Sequence, residues 1–183
     1  MVLKKIKFLT ILFLLYQTPL YSKSNSFEIF DSKNLSRYFS GIVAFENKEN
    51  SIALDFFNSS KTLINKHDPY LKRYVNSLVL ENKVSQAINV IKGNKEKSNV
   101  DFFDAYLLLI IDSLKKNNYE KVNFYIKKTA NLNELDRFNS AILESLKHYI
   151  YVFREKKILD NKKDLGKLSI ISETFQRCYL GER

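Results

Sequence analysis

Two short frames recur in this chain 34 residues apart. Ile52-Ala53-Leu54-Asp55-Phe56-Phe57 is matched by Gln86-Ala87-Ile88-Asn89-Val90-Ile91. Each alanine is followed four residues on by a bulky apolar side chain, Phe57 or Ile91, and preceded at eight residues by another, Phe45 or Val79. A third copy puts Val122 at the small position, 35 residues after Ala87, and Ile126 at the bulky one. A period of this size is the mark of stacked helical hairpins, because one short hairpin cannot bury its apolar face alone.

The local pattern agrees with that reading. Leu35, Tyr38, Phe39, Ile42 and Phe45 recur at i, i+3 and i+4, the spacing of one helix face, and predict a helix over residues 35–47. Further helices are predicted over 52–64, 69–80, 84–91, 102–116, 119–128, 138–153 and 168–180. Asp68-Pro69 reads as a helix start, with Asp68 as N-cap and Pro69 at the first position, where its missing N–H costs nothing. Glu46–Asn50, Asn82-Lys83 and Asn117-Asn118 are the polar turns between paired helices. Only four glycines and two prolines occur, too few for the tight turns of an all-β fold or for a phosphate-cradling glycine loop.

These residues resemble the tetratricopeptide repeat (TPR) family. Its unit has a Gly or small residue midway along the first helix, a small residue twelve positions later, and a large apolar one four further on. Gly41, Ala53 and Phe57 fill the three places in the first unit; Val75, Ala87 and Ile91 in the second; Ile110, Val122 and Ile126 in the third. The resemblance covers residues 34–130 and weakens from the first unit to the third. It implies an all-α, right-handed solenoid, with repeats at about 34–66, 68–99 and 101–132. It also implies a peptide groove on the inner face of the first helices. Carried over position by position, the groove candidates are Tyr38, Ile42 and Phe45, then Lys72, Asn76 and Val79, then Leu107, Ile111 and Leu114. Lys72 and Asn76, one turn apart, form half of the family's clamp for acidic peptide termini; Asp104 in the third unit does not complete it.

Residues 1–24 have a composition of their own. Lys4, Lys5 and Lys7 precede the apolar run 8–16, which Gln17-Thr18-Pro19 breaks ahead of Ser22 and Ser24. That is the layout of a secretory signal peptide. The expectation is an exported, periplasmic chain beginning near residues 23–25, with 25–33 as a linker. The alternative is anchoring through an uncleaved 4–20 segment. Residues 1–22 hold three lysines and no acid, so three of the ten net positive charges go with them, and the remaining seven are dispersed without a run of five or six. Nucleic-acid binding needs clustered cations and is therefore not expected.

Catalytic and metal chemistry find no constellation. Two histidines, His67 and His148, are 81 residues apart, and Cys178 is the single cysteine, which excludes an internal disulfide. His67 reads as a surface-loop residue and His148 as partly buried. The fourteen Phe and eleven Tyr recur at helical spacing and read as core. Residues 135–183 read as a further helical hairpin or incomplete repeat after the lysine-rich stretch 156–167. Ile170, Ile171, Phe175, Tyr179 and Leu180 run almost to the end, as expected if the chain is a fragment of a longer array or carries an imperfect cap. The expectation is a scaffold or adaptor binding a protein or peptide segment outside the cytoplasm, without cofactor or metal. The competing expectation is a helical accessory domain of a larger envelope enzyme.

Overall fold

The computed structural model describes residues 31–94, 100–132 and 136–182, and all regular structure among them is helical. The elements are α1 (Ser32–Glu46), α2 (Asn50–Ser59), a 3-10 turn (Lys61–Asn65), α3 (Asp68–Leu80), α4 (Val84–Gly93), α5 (Phe103–Lys115), α6 (Tyr119–Ala130), α7 (Arg137–Glu155) and α8 (Lys167–Leu180). The leader at 1–24 and most of the 25–33 linker lie outside the described residues. From Lys33 onward the chain is one compact unit.

The period is written into the backbone as well as the side chains. Lys48, Asn82 and Asn117 adopt left-handed conformation, with φ of 64°, 58° and 54°. They are separated by 34 and 35 residues, matching Ala53, Ala87 and Val122. After each, an amide reaches back five residues: Glu49 N–H donates to the Ala44 carbonyl at 2.9 Å, Lys83 to Leu78 at 2.8 Å, and Asn118 to Ser113 at 2.9 Å. A left-handed residue followed by such a six-to-one bond closes a helix by satisfying a carbonyl of its last turn. Asparagine enters this region more readily than other non-glycine residues, which suits the second and third turns. The amides of Ala53, Ala87 and Val122 then donate to the carbonyls of Glu49, Lys83 and Asn118. The small side chain therefore sits at the same depth in the second helix of each pair.

Two local expectations are corrected. The helix expected over 52–64 stops at Ser59 and gives way to the 3-10 turn. Ser59 and Ser60 hydroxyls both donate to the Phe56 carbonyl at 2.9 Å, offering the chain an exit from regular hydrogen bonding. Asp68 is the first helical residue of α3, not its cap; His67 holds that position without a side-chain bond. Asp68 instead places a carboxylate in the first turn, where it complements the helix dipole.

Burial follows the repeat. Ala53, Ala87, Val122, Phe57 and Ile91 have no exposed surface. Helix α3 packs against α2, α4 and α5, and α5 against α6, so each first helix also meets the pair before it. At the front of the core, Phe57 has ring centroids 5.9 Å from Tyr38 and 6.1 Å from Tyr70. The Tyr70 hydroxyl donates to the Phe57 carbonyl, and burial pushes its phenol well above the usual value.

An ion cluster ties α4 to α5. Asp112 lies 2.6 Å from Lys92 and 2.8 Å from Lys116. The hydrogen bonds from Lys116, then Lys92, hold its carboxyl below the ordinary carboxylate value. A lowered folded-state value means this contribution is present above about pH 4 and is lost as pH falls through the lowered value. Asp112→Asn is expected to cost ~1 kcal/mol at neutral pH. Thermal melts should show the gap from the parent narrowing as pH falls below about 4; a gap that stays constant on acidification would refute the assignment.

The last two helices are arranged differently from the pairs before them. Ser145 on α7 meets Ser172 on α8 at 2.9 Å, and Phe153 further along α7 meets Tyr179 further along α8 at 4.9 Å. Both contacts advance in the same direction, so α7 and α8 run parallel, and residues 156–166 return along them. Lys156 (φ 55°) and Gly166 (φ 63°) turn the chain at the two ends of that return. Ile150 of α7 reaches the main core.

Candidate groove on the first helices

The first helix of each pair contributes to one surface groove of about 310 Å³. Phe45 comes from α1; Asn76, Val79 and Leu80 from α3; Asp104, Leu107 and Leu108 from α5. Phe45 and Val79 are equivalent positions 34 residues apart. The packing of α3 on α5 brings the second and third contributions together. The lining is apolar apart from an amide at Asn76 and a carboxylate at Asp104, which gives it one polar rung.

The structure places the groove candidates in five different settings. Phe45, Asn76, Val79 and Leu107 share the groove. Tyr38 does not belong to it and is corrected to a core residue: it is 2% exposed and packed among Phe57, Tyr70 and His67. It shares the phase of Phe45, seven residues on, but packs into the first pair, where aromatic rings fill the space beside Gly41. Ile42 and Leu114 are half-buried against the core, and Ile111 is 51% exposed without lining the groove. Lys72 is exposed and lines a neighbouring depression of about 390 Å³ with Asp101, Phe102, Phe103, Asn131, Leu132 and Asn139. Lys72 and Asn76 thus serve different depressions, and the half-clamp expected of them is divided.

Leu80 and Leu108 line the groove and were not among the candidates. Leu80 and Leu108 flank Val79 and Leu107 by one residue, and the run Leu107-Leu108-Leu109-Ile110-Ile111 is apolar on every face, so it carries no phase information. Asp104, named in sequence beside the third unit's clamp positions, lines the groove as a carboxylate and so does not complete the clamp. A third depression, of about 540 Å³, is confined to the first pair and lined by residues including Phe39, Val43 and Ile52.

The titratable residues singled out in sequence are placed as follows. His67 is corrected from a surface-loop residue to a half-buried one, its ring edge-on to Tyr38 at 4.8 Å. His148 is 6% exposed, and burial lowers its pKa. Cys178 is exposed. The Tyr106 hydroxyl donates to Asp101, and burial, then that bond, raises the phenol above its usual value. Among the described residues, no group of three His, Cys, Asp or Glu is placed to hold a metal ion.

The repeat positions have a geometric role. A Cβ built on Gly41 would lie 2.9 Å from Phe57 Cε1 and 3.2 Å from Phe56 Cβ. Ala53, Ala87 and Val122 keep the paired helices close, and Phe57 and Ile91 fill the space between pairs; Ile126 is half-buried against the same core. No family model matches the chain, and it matches none of the curated proteins and none of the solved structures.

Proposed function

We propose that this chain is a non-catalytic scaffold, a right-handed solenoid of TPR-like hairpins, that binds a protein segment in the groove of its first helices. The observation that carries the reading is the groove itself: three successive pairs contribute to it, two of them through the equivalent residues Phe45 and Val79. A surface assembled by repetition recognises an extended or helical segment across several units. Its apolar walls take apolar side chains. The Asn76 amide pairs with peptide N–H or carbonyl groups, and Asp104 favours a cationic side chain over a terminal carboxylate. The leader composition of residues 1–24 supports action outside the cytoplasm, with the rest of the chain exported.

A photo-crosslinking amino acid at position 76 or 107, compared with 89 and 123 on the second helices, tests this in cells. One discrete partner is expected from 76 and 107 and not from 89 or 123. Leu107→Arg should reduce its capture by about tenfold or more at an unchanged unfolding midpoint, since central apolar contacts dominate such interfaces. The same adducts from all four positions, or none from the groove, would overturn the proposal.

A further inference from the structure

Helix α8 is docked with its polar side inward. Its buried residues are Ser172 and Gln176, while Ile170, Ile171, Phe175 and Tyr179 are 70%, 54%, 63% and 51% exposed. At 3.6 residues per turn, Ile171, Phe175 and the exposed Cys178 fall within about 60° of arc, and Tyr179 flanks them. Surface helices normally turn the apolar stripe toward the core, and an outward stripe marks an interaction surface. The inward side is held by the Ser145–Ser172 hydroxyl pair and by the ion pair of Lys162 with Glu173. Gln176, 2% exposed, has neither amide atom hydrogen-bonded. The docked side is thus a poor core for the helix, and its apolar residues are available elsewhere.

Charge selects what the stripe meets. Residues 156–167, which lead into α8, hold five lysines against two aspartates. Lys156, Lys157, Lys163 and Lys167 are exposed, and Lys156 lies over the Tyr179 ring at 4.8 Å, so the cations border the apolar face. A second copy of the chain would bring two such lysine sets together. An anionic surface is what this combination complements: apolar side chains enter the interfacial layer while ammonium groups meet lipid phosphates. Among the described residues no helix is long and apolar enough to cross a membrane, so the fitting geometry is a helix lying along the surface. We propose that α8 and the 156–167 segment form a binding element for anionic lipid bilayers, on a surface separate from the groove.

Cys178, the single cysteine, allows a local readout in the full chain. With a nitrobenzoxadiazole label there, vesicles containing phosphatidylglycerol should give a blue shift and brightening, and pure phosphatidylcholine vesicles should not. The response should vanish at about 1 M salt, where the screening length is ~3 Å. Lys157→Gln with Lys163→Gln and Lys167→Gln should weaken it by about tenfold or more. Phe175→Glu, at an exposed position, should abolish it at unchanged helical circular dichroism. Three results would overturn the proposal. One is vesicle-bound protein with an unchanged label, as from attachment through the N-terminal apolar run alone. The others are equal response to both lipids, and a lipid-free shift that grows with protein concentration and so reports self-association.

Discussion

Truncating Phe57 to alanine is expected to destabilise the fold by about 3–5 kcal/mol, the range for deleting a fully buried aromatic ring. Phe57 has no exposed surface and packs on Tyr38, on Tyr70 and over Gly41. The cost comes from the ring alone, because the carbonyl that Tyr70 bonds belongs to the backbone and survives the change. Alanine's better helix propensity returns only about 0.5 kcal/mol. The cavity would open between Gly41 on α1 and Tyr70 on α3, so the first pair should loosen from the second. Phe124, 54% exposed, is the control, and its alanine variant should lose under about 1 kcal/mol. Urea unfolding of both variants decides the matter: similar midpoints would mean Phe57 is not the packing centre that its burial implies.

The helical fold was legible because its signals are local. Apolar residues at i, i+3 and i+4 define faces, and the small residues at 53, 87 and 122 define a period without any tertiary information. The left-handed turns at Lys48, Asn82 and Asn117 share that period. Asn82 and Asn117 are suited to the conformation by type, whereas Lys48 is placed there by its position in the repeat. The end of α2 was not legible, since two adjacent serines suit a turn and an exposed helical face equally. The parallel course of α7 and α8 was hidden for a different reason. A lysine-rich stretch of eleven residues serves equally as a loose loop between antiparallel helices or as an extended return, and only the contacts Ser145–Ser172 and Phe153–Tyr179 decide.

The groove was half legible. Phe45, Asn76, Val79 and Leu107 came from the resemblance to the repeat family, carried over position by position, and they line one depression. Tyr38 shares the phase of Phe45 yet turns into the core, because the first pair is opened by glycine at position 41 and filled by aromatic rings. Repeat position identifies a face; the volume of the neighbouring side chains decides whether a residue on it is lining or filling. The same distinction separates α8 from the other helices. Its stripe was readable as apolar, but the polar identity of its buried partners, Ser172 and Gln176, shows only in the packing.

Gly41→Leu should be the most damaging single change in α1, with an expected loss of about 3 kcal/mol or more. Even a methyl group there would sit 2.9 Å from Phe57 Cε1 and 3.0 Å from Cδ1, closer than carbon atoms approach without displacement. Phe57 is fully buried and has no solvent side to move into, so overpacking must be relieved by shifting α1 away from α2. Glycine in a helix interior costs about 1 kcal/mol relative to alanine, so propensity alone predicts that Gly41→Ala is stabilising. The packing predicts the reverse in the parent and a change of sign when the ring is shortened. In a Phe57→Leu background, Gly41→Ala should become neutral or stabilising by up to about 1 kcal/mol. A double-mutant cycle read by urea unfolding isolates this coupling, which contacts of this kind place at about 0.5–3 kcal/mol. Additive effects of the two substitutions would show that glycine at 41 answers to something other than the Phe57 ring.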